Sequence, residues 1–203
     1  MNAQRLIIVA LTLIGMLAGR SSFSQEDWRL AKDAEGIKVY VRNVPGSSLR
    51  EFRGEISLDV PVDKVVAVLR DANAFVKWMP DVAASELLSI NDSEQFHYLD
   101  NKAPWPVANR DGVYHFVYGR SEDGTVIVRV NAVPGYVPLR EGKVRIPQAD
   151  GQWVISPAAE GVRVRYQMHA SPGGSIPGWV ANQAVVDTPY GTLKAMRDYL
   201  QAR

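Results

Sequence analysis

Residues Ser171 to Met196 read S-P-G-G-S-I-P-G-W-V-A-N-Q-A-V-V-D-T-P-Y-G-T-L-K-A-M, a helix start and then a long helix close to the end of the chain. Ser175 is placed to cap it, and Pro177 fits its first turn, where a missing N–H costs nothing. Trp179, Gln183, Val186, Tyr190, Leu193 and Leu200 then recur at three- and four-residue steps, which gives one apolar face. Nothing upstream offers a helix of similar length. A curved sheet must bury its apolar side against something, so this helix is expected to lie across the sheet's concave face.

The rest of the chain supplies the sheet. Glu26 to Ala34 is predicted to be a short helix that ends at Gly36. Ile37, Val39 and Val41 alternate with Lys38, Tyr40 and Arg42, the pattern of a half-buried strand. A second strand spans Leu49 to Leu58. Asp59 is a candidate cap and Pro61 a helix start, before the apolar stripe of Val62, Val65, Val66 and Leu69. A further helical turn runs from Asn73 to Trp78. Strands are then expected near 84–90, 94–101, 112–120, 125–133, 142–147, 151–157 and 161–170. The turns between them include Asn91-Asp92, Asp123-Gly124, Asp150-Gly151 and Glu160-Gly161. Such close spacing implies an antiparallel meander. The class is α+β, a helix-grip fold in which a curved antiparallel sheet and the last helix enclose a hydrophobic cavity. Pro189 cannot donate to Val185 and crowds its carbonyl. The helix therefore either kinks there or restarts behind a Thr188 cap. The weak point is either a static kink that follows the sheet or the hinge of a moving gate.

The first residues bear on location. Arg5 precedes the apolar run Leu6 to Ala18, and Ser22 and Ser24 stand at −3 and −1 of a cut before Gln25. This is the pattern of a secretory signal peptide, and the run is shorter than the ~20 residues of a membrane span. The other reading is an uncleaved N-terminal anchor. The expected organisation is a signal peptide at 1–24 and one domain at 25–203, exported to the periplasm of a Gram-negative cell. The net charge is +1 over 203 residues, and removing 1–24 takes away Arg5 and Arg20 and no acid. A balance that near zero does not point to nucleic acid. There is no cysteine, so disulfides and thiolate metal sites are excluded.

Several motifs occur in the order seen in the START family of lipid-transfer domains. They are Trp28, Gly36-Ile37-Lys38-Val39-Tyr40, Trp78, Pro104-Trp105-Pro106-Val107-Ala108-Asn109-Arg110-Asp111, and P-G-G-x-I-P-x-W at the last helix. The chain resembles that family over residues 26–202, and within it the phosphatidylcholine-transfer type most. The resemblance implies a lipid held in an internal cavity and a C-terminal helix that closes over it. It breaks at the headgroup. Where that type cages choline with aromatic rings by cation–π attraction, this chain has Leu99, Gly112 and Ala149. Where the type has the arginine that holds phosphate, this chain has Phe75. Phosphatidylcholine is therefore not the expected ligand.

The candidate lipid-contacting residues are Phe75, Leu99, Trp105, Arg110, Tyr114, Trp153, Trp179, Gln183 and Val186. Arg110 either reaches a phosphate or carboxylate headgroup, or serves the fold through an ion pair or bonds to loop carbonyls. For Trp105, Trp153 and Trp179 the alternative is core packing. The apolar loop Val133 to Leu139 matches the family's loop across the cavity mouth. Pro134, Tyr136, Val137, Trp179 and Pro189 are the candidate gate and membrane contacts, and the loop's other reading is packing onto the helix.

Chemistry is thinly represented. His97, His115 and His169 lie on different strands without a metal-binding spacing and read as histidines with satisfied hydrogen bonds. Gly173-Gly174-Ser175-Ile176-Pro177 falls short of a nucleophile elbow because Pro177 stands where the last glycine belongs. Asn91-Asp92-Ser93, a sequon by pattern, reads as a turn. No catalytic residue, metal or cofactor is expected. The first reading is a monomer that binds a lipid, touches membranes transiently and carries its ligand between them without chemistry. The alternatives are a helix-grip enzyme of the cyclase or hydrolase kind, which would need two convergent acid–base groups in the pocket, for example His115 or His169 beside Asp111, and a lipid sensor.

Overall fold

A computed structural model describes residues 28–176 and 178–203, with the side chains of 178–180 outside the description. The signal-peptide segment, Pro177 and the Trp179 side chain therefore lie outside the described residues. In chain order the strands are β1 (Arg29–Ala34), β2 (Ile37–Arg42), β3 (Glu51–Leu58), β4 (Val82–Ile90), β5 (Glu94–Asn101), β6 (Arg110–Arg120), β7 (Val126–Ala132), β8 (Val144–Arg145), β9 (Gln148–Pro157) and β10 (Val162–Ser171). The helices are α1 (Val62–Arg70), α2 (Phe75–Trp78) and α3 (Gly178–Gln201), with a single 3₁₀ turn at Ala72–Ala74.

The strands form one open sheet in the order β1-β2-β3-β10-β9-β7-β6-β5-β4. All these neighbours pair antiparallel, and the short β8 pairs parallel with β6. Period-two alternation sorts the side chains between two faces. On β10, Val162 and Val164 are buried while Arg163 is exposed and Arg165 reaches Glu55 on the outer face. The inner faces of β2, β3, β9 and β10 carry Val39, Phe52, Ile56, Trp153, Ile155 and Val164 into one core with Leu193 and Met196 of α3. Helix α3 crosses that face chiefly over β2 and β3, as the sequence predicts.

The segment expected to be a helix from Glu26 to Ala34 is instead the edge strand β1, wherever described. Its polar run is explained by its position, since a sheet edge leaves most of β1 at the surface. It closes onto β2 through a two-residue turn, with φ of +52° at Glu35 and +75° at Gly36. Positive φ at both positions is the turn that matches the twist of a hairpin. Asp59 does not cap α1; Pro61 stands in the cap position without a side-chain bond. The strand expected at 142–147 shrinks to Val144–Arg145.

Pro189 does not divide the last helix, which runs unbroken from Gly178 to Gln201. Pro189 is itself buried, and it rests on a notch in β3. A Cβ added at Gly54 would lie 2.7 Å from Leu193 Cδ1 and 3.2 Å from Pro189 Cβ. Only a glycine lets helix and sheet approach this closely.

Candidate functional site

The site lies on the inner face of the sheet, beneath α3 and α2. Register on β5 and β6 sets Gln95, His97 and Leu99 of β5 beside Phe116, Tyr114 and Gly112 of β6. Phe75, from α2, closes this row edge-on against His97 and Phe116, with centroids at 5.4 and 6.2 Å. Trp153 lies flat on Tyr166 at 3.9 Å. Tyr114 folds back over Gly112, its ring 2.8 Å from where a Gly112 Cβ would be. Phe75, Leu99, Tyr114, Trp153 and Ala149 are all buried here. The inner face thus carries the positions where the resemblance places a headgroup cage, Leu99, Gly112 and Ala149, and none of the three bears an aromatic ring.

Arg110 and Asp111 open β6 and point to opposite faces, as adjacent residues of a strand must. They do not pair with each other. Asp111 meets Arg145 in a two-pronged ion pair, Nε and Nη2 each 2.9 Å from a carboxylate oxygen. Burial opposes the charge on Asp111, but the Arg145 bonds outweigh it and hold the carboxyl below its usual range. The Arg145 guanidinium also donates to the carbonyls of Pro134 at 2.6 Å, Val137 at 3.1 Å and Pro138 at 3.0 Å. One buried arginine therefore fixes the 133–139 loop to the sheet. No local signal marked it, because the pair spans 34 residues of chain.

Arg110 is 7 % exposed and donates to the carbonyls of Ala108 at 2.5 Å and Gly173 at 3.4 Å. Its Nε is buried without a partner, and no carboxylate pairs with it among the described residues. The bonds to loop carbonyls anticipated for this residue are present. They leave its positive charge uncompensated at the edge of an apolar interior.

The other candidates are scattered. Trp105 stands 93 % exposed in the β5–β6 connection, outside the inner face. Gln183 is exposed and Val186 is half-buried against the core. Pro134 and Val137 are half-buried. Tyr136 does not face the inner side: its ring stacks at 4.3 Å on Phe96 of the outer face, which stacks at 4.3 Å on His115. His115 Nε2 lies 2.6 Å from Glu94 and His169 Nε2 lies 3.1 Å from Ser47, so neither sits beside the Asp111 carboxylate. His97 departs from the expectation of a satisfied histidine. It is fully buried and neither ring nitrogen has a partner. The outer face also bears a shallow groove of about 240 Å³ lined by Glu51, Arg129, Asn131, Asp150, Gln152 and Gln167. Its polar walls are unsuited to an acyl chain.

Helix α3 is held differently along its length. Beyond Pro189, Leu193 and Met196 are fully buried. Glu35, at the β1–β2 turn, accepts from Tyr190 Oη at 2.7 Å, Lys194 Nζ at 3.0 Å and Arg197 Nη2 at 3.1 Å. The Tyr190 and Lys194 bonds lower the Glu35 carboxyl to about 2. Before Pro189 the polar ties among the described residues are Arg50 to Asn182, at 3.1 and 3.0 Å, and a loose Lys32–Asp187 pair at 3.8 Å.

The START domain family profile matches residues 10–202. An uncharacterized protein of Pseudomonas aeruginosa is 37 % identical, over 98 % of each chain. The phosphatidylcholine transfer protein of Rattus norvegicus is 31 % identical, over 84 % of this chain and 82 % of that one. Among solved structures, a fragment of a StAR-related lipid transfer protein from Xanthomonas axonopodis superposes with a TM-score of 0.83. It is 71 % identical and covers 86 % of this chain and 98 % of its own.

Proposed function

This chain belongs to the START domain family, and from that premise we propose that it carries a lipid between membranes in the periplasm, with no chemical step. The observation that carries the reading is the asymmetric hold on α3. A helix locked beyond Pro189 and, among the described residues, held before it by few contacts is suited to swing its N-terminal half away from the inner face. An acyl chain entering there leaves water at a gain of ~0.8 kcal/mol per CH₂. Bilayer and protein interior then offer similar surroundings, so transfer is limited by opening. Residues 1–24 would direct export and be removed, leaving the domain at 25–203 as a monomer.

The ligand is an anionic amphiphile whose headgroup takes the free valence of Arg110. Phosphatidylcholine fits poorly, because no aromatic cage stands at Leu99, Gly112 and Ala149. Membrane contact falls to a different set of residues from that suggested by sequence. With the Tyr136 ring stacked on the outer face, the two most exposed large apolar side chains among the described residues are Trp105, at 93 %, and Leu139, at 76 %. Their two connections meet where Val144 N–H bonds to the Asn109 carbonyl.

Native mass spectrometry on the protein purified from its own periplasm tests the reading. A single lipid bound at one-to-one stoichiometry supports it. A protein that stays empty, and extracts nothing from vesicles of phosphatidylethanolamine and phosphatidylglycerol, contradicts it.

A further inference from the structure

Four buried polar atoms between the sheet and helix α2 have no partner. They are Nδ1 and Nε2 of His97, Oε1 of Gln95 and Nε1 of Trp78, and Tyr199 Oη adds a fifth. Native interiors leave few such groups, and the rings that carry these are linked in one chain of aromatic contacts. His97 stacks on Phe116 at 4.1 Å and meets Phe75 edge-on at 5.4 Å. Phe75 in turn meets Trp78 at 5.4 Å, and Trp78 stacks on Tyr199 at 6.3 Å. Gln95 is the next inward-facing residue of β5, fully buried, with its amide Nε2 committed to the Arg70 carbonyl at 3.0 Å.

The chemistry of the set is specific. Burial lowers the His97 imidazole to about 4, so at neutral pH it presents one donor and one acceptor. Gln95 Oε1 accepts, Trp78 Nε1 donates, and the Tyr199 hydroxyl does either. No cation belongs to the set. A charged headgroup would be poorly received, whereas a group that both gives and takes a hydrogen bond would be satisfied.

Register supplies a ruler. Arg110 pairs with Asn101 and Tyr114 pairs with His97, so the two polar positions are four residues apart along β6, about 13 Å. Resting on the lipid-binding reading above, we infer that the interior is built for an acyl chain with an anionic end at Arg110 and an uncharged mid-chain hydroxyl at His97 and Gln95. The ring of His97 is enclosed in this structure, so the ligand reaches it by displacing Phe75 on the short helix α2.

The test compares octadecanoate with a mid-chain hydroxy-octadecanoate by calorimetry, on the full mature chain and on its His97→Phe variant. Phenylalanine keeps a flat ring beside Phe75 and Phe116 and removes the hydrogen-bonding atoms. The wild type is expected to bind the hydroxy acid about tenfold more tightly, the scale of one well-made hydrogen bond. His97→Phe is expected to bind both acids alike, with octadecanoate affinity held within about twofold of wild type. Gln95→Leu serves as a second variant and narrows the preference in the same direction. Equal affinities in the wild type, or a preference that survives both variants, overturn the inference while leaving lipid binding intact. Failure to bind either acid overturns it too, and native mass spectrometry then shows whether the lipid-carrier reading falls with it.

Discussion

The two halves of α3 belong to one unbroken helix, yet they are attached by different physics. After Pro189 the helix is part of the core: Leu193 and Met196 are fully buried, and the Glu35 turn collects three of its polar side chains. Before Pro189 the described contacts are half-buried valines and a surface arginine that grips Asn182. Proline at the boundary removes one backbone bond and weakens the joint, while the Gly54 notch holds that joint against the sheet. Such a joint is a hinge where the first half moves on it and a static bend where it does not.

The comparison can be broken at several strengths. The largest effect belongs to the locked half. Leu193→Ala leaves a cavity in the core and should cost about 3 kcal/mol, within the 2–5 found for such truncations, measured by urea unfolding. A loss below about 1 kcal/mol would show that the locked half is not locked.

Next is acidity. The unfolded chain takes up a proton on His97 near pH 6.5 and the folded chain only near 4. Unfolding therefore binds protons, and stability falls as pH drops from 6.5 to 4, by about 3 kcal/mol from this residue alone. Chemical unfolding at a series of pH values should show this slope in the wild type and a flatter one in His97→Phe. Parallel slopes would mean that the imidazole is not buried neutral. Glu35 and Asp111, both held low, contribute stability that is lost as pH falls through their lowered values.

Filling the notch comes third. Gly54→Val pushes against Leu193 and Pro189 and should cost about 1–3 kcal/mol, the range for overpacking, with lipid release accelerated because the fulcrum shifts. The smallest change in stability is predicted for the loose half. Asn182→Ala removes the Arg50 grip at under about 1 kcal/mol, yet should speed lipid extraction from vesicles several-fold. Equal effects of Leu193→Ala and Asn182→Ala on both readouts would erase the distinction between the halves.

Much of this architecture is legible in the sequence because it rests on periodicity. The meander, the two helical insertions before it and the closing helix follow from spacings of two and 3.6 and from turn residues. Residues 29–34 were misleading because an edge strand needs little apolar surface. The site is less legible. Leu99, Tyr114 and Trp153 reach the inner face from strands and Phe75 from α2, but Trp105 and Tyr136 carry the same aromatic signal and stand elsewhere. Tyr136 is placed by a loop clamped by Arg145, whose partner Asp111 is remote in sequence, and Trp105 by the connection from β5 to β6. His97 reads as one more strand histidine until its neighbours are known to be phenyl rings instead of hydrogen-bond partners.

The central claim is that α3 opens about Pro189. The chain has no cysteine, so spin labels can be placed at will. One pair joins Gln183→Cys to Arg163→Cys, linking the loose half to the sheet's outer face; the other joins Asp198→Cys to Arg163→Cys, linking the locked half to the same reference. Pulsed dipolar spectroscopy would follow both as phosphatidylglycerol vesicles are added. The first distance is expected to lengthen and broaden while the second holds. Two unchanged distances, or two that move together, would contradict the claim.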